Sequence, residues 1–234
     1  MVVLKKFLDF YINSSLHVAL SAFALVLMTQ YFFDVKDDFS VALFAFFGTV
    51  VGYNFVKYDA IARLNRTQIK KELKTIVFLS FISLLACFYF FTQLSWMSKV
   101  SAFAFFGLTL LYTLPFFPNK QNARNWKGVK IYIVGITWVG VTVILPLVEA
   151  EIPFSKDVFL MALQRFLLIF SMVLVFDIVD VKQDDIHLQT VPQKIGVEPT
   201  KKLGYVLLLL LLISEFFFTN HHHFLPLFFK LLVC

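Results

Sequence analysis

The stretch at residues 176–196, FDIVDVKQDDIHLQTVPQKIG, joins the end of a long apolar run to an acidic segment. At about 100° per helical residue, Asp177, Asp180 and Asp184 fall within an arc of about 60° on one helix face. Three carboxylates this close together repel one another unless a cation lies among them. The stretch therefore indicates an acidic stripe at the end of a hydrophobic helix, where it could hold a cation.

The composition of the whole chain is that of a membrane protein. Of the 234 residues, 59% are hydrophobic and 15% are charged, whereas a soluble domain carries about 25% charged residues. Apolar runs recur at the length of a transmembrane helix, which is about 17 residues or more. We therefore predict an all-α fold, a polytopic transmembrane helical bundle that forms a single integral-membrane domain over residues 1–234.

Seven apolar segments are predicted to cross the membrane. The first follows Lys5 and Lys6 without a small-residue cleavage pattern, so we interpret it as a retained span and not as a signal peptide. The tail contains a short apolar segment interrupted by Pro226 and Lys230, which we expect to be half-inserted or interfacial. The predicted spans are 16–33, 39–56, 75–91, 96–116, 131–148, 158–176 and 203–218.

The distribution of basic residues predicts the orientation of the chain. Most of the 21 lysines and arginines lie in the N-terminal arm or in the three long loops on the same side of the predicted bundle. Positive charge is enriched in the cytoplasmic loops of membrane proteins. The N-terminus and the acidic loops are therefore predicted to be cytoplasmic, in a bacterial cytoplasmic (inner) membrane. Because the net charge of +6 comes from these loops, no nucleic-acid partner is indicated.

A second group of polar residues lies where the second predicted span ends. Asn54 is about one turn inside that end, and Lys57 and Asp59 follow it. An amide at that depth is costly unless it has a partner, which makes Asn54 a functional candidate. The alternative is a hydrogen bond between helices. Asp59 lies about 140° around the helix from Asn54 and is the weaker candidate.

Oxygen ligands on two helices, with lysines nearby, suit Mg²⁺ bound to a diphosphate. Magnesium prefers a few carboxylates together with phosphate oxygens to a cage made of protein alone. The ion neutralises a phosphate leaving group, and Lys or Arg side chains take up the remaining charge. The alternative for the acidic stripe is a solvated helix end whose charge is balanced by Lys182 and Lys194.

The residues that follow the acidic stripe extend the pattern. Asp177-Ile-Val-Asp180-Val-Lys-Gln-Asp184 precedes Thr190-Val-Pro192 and then Lys194-Ile-Gly196. This order resembles the second aspartate motif of the UbiA superfamily of membrane prenyltransferases, which closes the sixth helix in that family. The resemblance implies a UbiA-like bundle, with about seven spans here and a short C-terminal apolar segment.

Two further segments resemble UbiA motifs at corresponding places. Asn54 lies where the first motif of the family, N-x-x-x-D-x-x-x-D, begins at the end of the second helix. Tyr112-Thr-Leu-Pro115 ends the fourth predicted span and is followed by Lys120 and Arg124. This segment is similar to the tyrosine–proline–basic loop of the family. The resemblance therefore runs in order through most of the chain.

The resemblance implies transfer of a prenyl chain from a polyprenyl diphosphate to a hydrophobic acceptor, aromatic or lipid. In the family, Mg²⁺ bridges the diphosphate to both acidic motifs, and ionisation leaves an allylic carbocation that the acceptor attacks. The spans would bind the isoprenoid chain within the membrane lipid. Carried over by position, the catalytic and metal-binding residues are Asp177, Asp180, Asp184 and Asn54, and the substrate-binding residues are Lys57, Asp59, Tyr112, Lys120 and Arg124.

The first motif departs from the family pattern. Tyr58 stands where the family has its first aspartate, Asp59 is one residue late, and Ala62 stands at the second aspartate position. The alternative function is therefore a catalytically impaired UbiA-like membrane protein that binds isoprenoid lipid or a partner without turnover. A transporter is disfavoured because the chain has no internal hydropathy repeat.

Overall fold

The computed structural model describes residues 2–35, 39–64, 71–114, 128–182 and 189–218, with the backbone alone at 2–3, 59–64 and 71–72. Within these ranges all regular structure is helical, which confirms the predicted all-α class. The α-helices are α1 (Val2–Asn13), α2 (Leu16–Phe32), α3 (Phe39–Leu64), α4 (Lys71–Gln93), α5 (Trp96–Thr113), α6 (Lys130–Val139), α7 (Leu145–Glu149), α8 (Lys156–Asp180), α9 (Val191–Ile195) and α10 (Val197–Ser214).

Each predicted span falls on a helix, but among the residues described fewer than seven helices are long and apolar enough to cross a membrane. Within the described ranges four stretches meet both conditions, and α1 with α2 makes a fifth if this pair, bent by 64°, is counted as one span. These helices are compatible with an integral membrane protein. The four stretches are Phe39–Tyr58, Leu73–Gln93, Lys130–Glu149 and Lys156–Asp180.

The two remaining predicted spans correspond to α5 and α10. The first turns of α10 carry Glu198, Lys201 and Lys202, three charges in an 18-residue helix. The Lys201 ammonium donates to Glu198 at 2.7 Å, and this hydrogen bond raises the pKa of Lys201. An exposed ion pair of this kind belongs in water or among headgroups. The C-terminal segment at 219–234, predicted to be half-inserted or interfacial, lies outside the described residues.

The outward surfaces of the helices are apolar. Along α4, four large side chains at spacings of three and four residues are each more than half exposed. A soluble protein rarely exposes a continuous apolar stripe of this size. The stripe is what a helix that faces lipid requires. Its members are Phe78, Phe81, Leu85 and Phe88.

The chain divides into two compact units. The first comprises Met1–Phe103 and Leu145–Glu151, and the second comprises Ala104–Ile144 and Ile152–Cys234. The prediction of a single integral-membrane domain stays a prediction.

In the first unit, α3 packs against α2 on one side and α4 on the other. The α2 and α3 helices bury small residues such as Ala22 and Ala45, which allow the backbones of membrane helices to approach closely. The rings of Phe47 and Phe90 stack between α3 and α4, with centroids 6.0 Å apart.

In the second unit, α8 packs against α6 and α10. A Cβ atom at Gly135 would come within 2.7 Å of the Phe166 ring, so a larger residue there would force this ring to move. The Gln164 amide donates to the Glu215 carboxylate at 2.9 Å and links α8 to the turn that follows α10. After α6 the helix widens into a π turn at Gly140–Ile144, just before Pro146. Proline lacks an N–H and crowds the carbonyl four residues earlier, which explains the wider turn.

Candidate functional site

Asp177, the first carboxylate of the acidic stripe, is buried and forms an ion pair. It lies in the last turn of α8 and is 4% exposed. The ammonium of Lys130, the first residue of α6, lies 2.9 Å from Asp177 Oδ1. A carboxylate removed from water requires a partner of opposite charge or several hydrogen bonds. Lys130 therefore supplies the charge that allows Asp177 to be buried.

Asp180, the second carboxylate of the stripe, has a different environment. It is the last residue of α8 and is exposed. It makes no hydrogen bond or ion pair within the part of the chain that the structure describes, so its oxygens are available to solvent or to a ligand. Asp184 lies outside the described residues. No group of three His, Cys, Asp or Glu side chains suited to a metal ion occurs among the residues described.

The segment 190–196, which carries the Thr-x-Pro part of the resemblance, has a local structural role. Thr190 precedes the short helix α9, and its N–H donates to Gln193 Oε1 at 2.9 Å. Pro192 lies in the first turn, where a missing N–H costs nothing. Gly196 ends the helix with φ of 89° and ψ of 163°, a backbone conformation that is essentially limited to glycine. These residues therefore start and stop a helix without any ligand.

A second lysine of this unit lies close to the start of α6. The Lys194 Nζ is 3.8 Å from the position that a Cβ atom would occupy at Gly128. Gly128 is two residues before Lys130, and α9 itself packs against α8. Two ammonium groups and two carboxylates, those of Lys130, Lys194, Asp177 and Asp180, thus belong to the adjoining ends of α6, α8 and α9.

Asn54 is buried in the first unit, and among the described residues only its amide nitrogen has a hydrogen-bond partner. It lies on α3, is 4% exposed, and donates from Nδ2 to Ser80 Oγ on α4 at 2.9 Å. The Ser80 hydroxyl donates to the Ile76 carbonyl at 2.9 Å, so its oxygen must accept from Asn54. This requirement orients the amide with its NH₂ group toward Ser80. The Oδ1 atom is buried and has no hydrogen-bond partner among the described residues.

Lys57 and Tyr58 both contact the end of α1. The Tyr58 hydroxyl donates to the Asn13 carbonyl at 2.8 Å, and the Lys57 ammonium lies 3.4 Å from the same oxygen. The Lys57 Nζ is also 5.4 Å from the centroid of the Tyr58 ring. The last carbonyls of a helix lack partners within the helix and attract positive charge. Tyr58, at the position where the UbiA motif has an aspartate, therefore stabilises the C-terminus of α1.

The other predicted substrate-binding residues are placed only in part. The backbone of Asp59 belongs to α3, and its side chain lies outside what the structure describes. Tyr112 is half-buried in the last turns of α5. Lys120 and Arg124 lie outside the described residues. The predicted substrate-binding roles of all these residues, and of Lys57, stay predictions.

Sequence reasoning did not assign Lys130 or Ser80 to the site. Lys130 contributes to the sequence analysis only as one of the basic residues that predict topology, although its place at the start of an apolar run could have suggested a carboxylate partner. Ser80 is one of several serines in α4, and no local pattern distinguishes it. Packing alone reveals both partners.

The donor atoms present are of the kind that Mg²⁺ prefers. Asp177 and Asp180 contribute carboxylate oxygens one helical turn apart, and Asn54 contributes a buried amide oxygen that has no partner among the residues described. Hard oxygen ligands of this type suit Mg²⁺. The chemistry of the donors therefore fits the ion that the resemblance implies. Convergence of Asn54 with the aspartates stays a prediction.

The comparisons with known proteins do not assign the chain to a family. No protein-family model matches the chain, and no curated protein or solved structure matches it either. The resemblance to the UbiA superfamily therefore depends on the sequence motifs alone.

Proposed function

We propose that this chain is a UbiA-like membrane prenyltransferase that moves a prenyl chain from a polyprenyl diphosphate to an aromatic or lipid acceptor, with Mg²⁺. In this proposal the bundle has about seven spans and a short C-terminal apolar segment. The loop lysines and arginines favour a bacterial cytoplasmic membrane with the N-terminus and the acidic loops in the cytoplasm. Four to five helices of sufficient length and apolarity support the membrane part of the proposal.

The observation that carries the proposal is the Asn54 Oδ1 atom. A hydrogen bond between helices is the ordinary role of an amide in a membrane span, and the bond to Ser80 satisfies the nitrogen in this way. The oxygen is left buried without a partner among the described residues, which costs about 1–3 kcal/mol. A cation, or a donor on a ligand, would satisfy it.

The roles of the residues follow from their chemistry. Asp177, Asp180, Asp184 and Asn54 would hold Mg²⁺, which when bound would neutralise the charge of the diphosphate leaving group. Lys57, Asp59, Tyr112, Lys120 and Arg124 would bind and orient the substrate. Lys130 would balance the charge of Asp177 before substrate enters. The apolar spans would enclose the isoprenoid chain and exclude water from the reacting carbon.

The test is turnover by the purified full chain in lipid nanodiscs. Labelled prenyl diphosphates of several chain lengths are supplied with aromatic and lipid acceptors, with and without Mg²⁺, and diphosphate release is measured. We expect release that requires Mg²⁺. If no combination of donor and acceptor releases diphosphate, the enzymatic proposal is wrong.

Asp180→Asn tests the acidic stripe directly. This change removes an exposed carboxylate that has no partner in the described part of the chain, so folding should be unaffected while diphosphate release is abolished. The matched control is Asp157→Asn, at the opposite end of α8, which should retain activity. Equal activity of the two variants would show that the stripe is a solvated helix end.

Two contacts favour a second candidate, an isoprenoid-binding protein without turnover. Tyr58 replaces an acidic ligand and bonds to the Asn13 carbonyl, and Asp177 is already paired with Lys130. Equilibrium binding of the labelled prenyl diphosphate to the same nanodiscs separates the candidates. Saturable binding without diphosphate release supports the non-catalytic protein, and release with Mg²⁺ excludes it.

A further inference from the structure

The N-terminal helix α1 has an apolar face that the described part of the chain leaves uncovered. On a helical projection four large apolar residues fall within an arc of about 140°. Each is between 45% and 67% exposed. The polar residues of α1 lie on the remaining part of the helix. The apolar face consists of Leu4, Phe7, Leu8 and Ile12, and the polar face consists of Lys5, Lys6, Asp9 and Asn13.

This helix is unsuited to cross a bilayer. Its 12 residues extend about 18 Å, against a hydrocarbon core about 30 Å thick. Its Lys5, Lys6 and Asp9 would be costly at the centre of the core. The 17-residue α2 extends about 25 Å and carries no Lys, Arg, Asp or Glu, so it is better suited than α1 to enter the hydrocarbon core. With α2 along the membrane normal, the bend of 64° between the two helices would place α1 closer to the membrane plane than to the normal.

The bend is fixed by packing and hydrogen bonds. Ser14 and Ser15 between the helices are buried, and Ser15 has a left-handed backbone with φ of 60°. The Tyr58 hydroxyl and the Lys57 ammonium both hold the Asn13 carbonyl at the end of α1. The contacts with α3 therefore hold the end of α1 at this angle, and the apolar face of α1 stays exposed.

The charges of α1 indicate what covers that face. Lys5 and Lys6 are exposed on the polar face, and the exposed Lys57 ammonium lies at the C-terminal end of the helix. An amphipathic helix with lysines on its polar face lies in the plane of an anionic bilayer surface, with its apolar side chains at the acyl boundary. The spans of the same chain bring α1 to that surface.

We propose that α1 is an interfacial helix that binds the surface of an anionic bilayer. Leu4, Phe7, Leu8 and Ile12 enter the acyl boundary, and Lys5 and Lys6 contact anionic headgroups. None of the residues assigned to prenyl transfer lies on the apolar face of α1, and this proposal does not depend on the proposed function.

Spin labels on single cysteines test the position of α1 in the full chain. Cys87→Ala and Cys234→Ala provide the background, and Leu8→Cys and Asp9→Cys place labels on the two faces. The protein is reconstituted in vesicles of phosphatidylcholine and phosphatidylglycerol, and collisions with oxygen and with a water-soluble nickel complex are compared. We expect the ratio of oxygen to nickel collisions to be several-fold higher at position 8 than at position 9.

Two results would overturn the proposal. Equal exposure of both labels to nickel would mean that α1 is free in water or waits for a protein partner. Equal shielding of both labels from nickel would mean that α1 lies within the hydrocarbon as part of a broken span.

A charge variant tests the anionic headgroups. Lys5→Gln with Lys6→Gln should move the label at position 8 toward water in vesicles that contain phosphatidylglycerol, and should have no effect in pure phosphatidylcholine. The matched control, Lys201→Gln with Lys202→Gln, removes two adjacent exposed lysines from α10 and should leave the label unchanged. An unchanged label in the first variant would contradict the role of the lysines.

Discussion

Asn54 and Asp177 are both 4% exposed, yet their partners differ in kind. Asp177 carries a charge and is paired with Lys130, whereas the neutral amide of Asn54 bonds through its nitrogen only, as far as the described residues go. A buried ion pair mainly offsets the cost of desolvating its own charges. A buried oxygen without a partner has no such compensation. At the scale of single residues, Asn54 is therefore the stronger indication of a ligand.

A comparison of Asn54→Ala with Ser80→Ala separates ligand binding from packing. Both changes remove the same hydrogen bond. Ser80→Ala also leaves the Asn54 nitrogen without its acceptor and should lower the free energy of unfolding by about 1–2 kcal/mol, whereas Asn54→Ala also removes the unpaired oxygen and should lower it by less. Only Asn54→Ala removes the Oδ1 atom. We expect diphosphate release to fall by two orders of magnitude or so in Asn54→Ala and to stay near the parent rate in Ser80→Ala. Similar rates in both variants would show that Asn54 has only a packing role.

Lys130→Met tests the ion pair with Asp177. The change leaves a buried carboxylate without its cation, which should lower the free energy of unfolding in detergent by up to about 3 kcal/mol. The double variant Lys130→Met with Asp177→Leu should recover most of this loss, because both charges are then absent. Lys182→Met, at an exposed lysine, serves as the control. Parent-like stability of Lys130→Met alone would contradict the pairing.

Among the elements, α9 shows how a family-like motif can arise from helix geometry. Gln193 accepts from the Thr190 N–H, and Gly196 adopts a conformation that other residues avoid. Both features are needed to fit a helix of five residues between α8 and α10. The Thr-x-Pro and Lys-Ile-Gly segments therefore have a structural explanation in addition to the functional one that the resemblance implies.

Gly196→Ala should destabilise the protein, and Gly204→Ala should not. At Gly196 the backbone has φ of 89°, so a side chain costs about 1–3 kcal/mol of unfolding free energy. At Gly204 no atom lies within 4 Å of an added Cβ, and alanine favours the helix by about 0.5–1 kcal/mol. Unfolding in detergent measures both variants. A Gly196→Ala variant as stable as Gly204→Ala would show that the backbone at 196 is not strained by a side chain.

At the scale of the whole molecule, the apolar surface of the helices and the loop charges together predict a topology. Large side chains along α4 face outward and require lipid. The ends of the helices carry the lysines and carboxylates that mark the water boundaries. The side on which α8 ends, with Asp180, is therefore expected to be cytoplasmic.

Cysteine labelling from each side tests this topology. In the background without Cys87 and Cys234, Lys182→Cys should react with a membrane-impermeant maleimide only in inverted vesicles, because the end of α8 is predicted to be cytoplasmic. Glu151→Cys, which precedes the start of α8, should react only in right-side-out vesicles. The opposite pattern would reverse the predicted orientation. Reaction of both from the same side would show that α8 does not cross the membrane.

The sequence by itself determined the helical class and the places of the apolar helices, and it predicts the membrane character with which those helices are compatible. These properties are local, because the length of an apolar run and the turn residues that bound it lie within one stretch of chain. The seventh predicted span, 203–218, differs from the helix that forms there, since α10 begins six residues earlier, includes Glu198, Lys201 and Lys202, and ends at Ser214.

The tertiary structure decided which polar groups have partners. Lys130 and Asp177 are 47 residues apart, Asn54 and Ser80 are 26 apart, and Tyr58 and Asn13 are 45 apart. Helix packing brings these pairs together, and the periodicity of a single helix cannot predict which residue on another helix will be the partner. The same acidic stripe thus contains a paired aspartate, Asp177, and an exposed one, Asp180, because of these two described residues Asp177 alone contacts another helix.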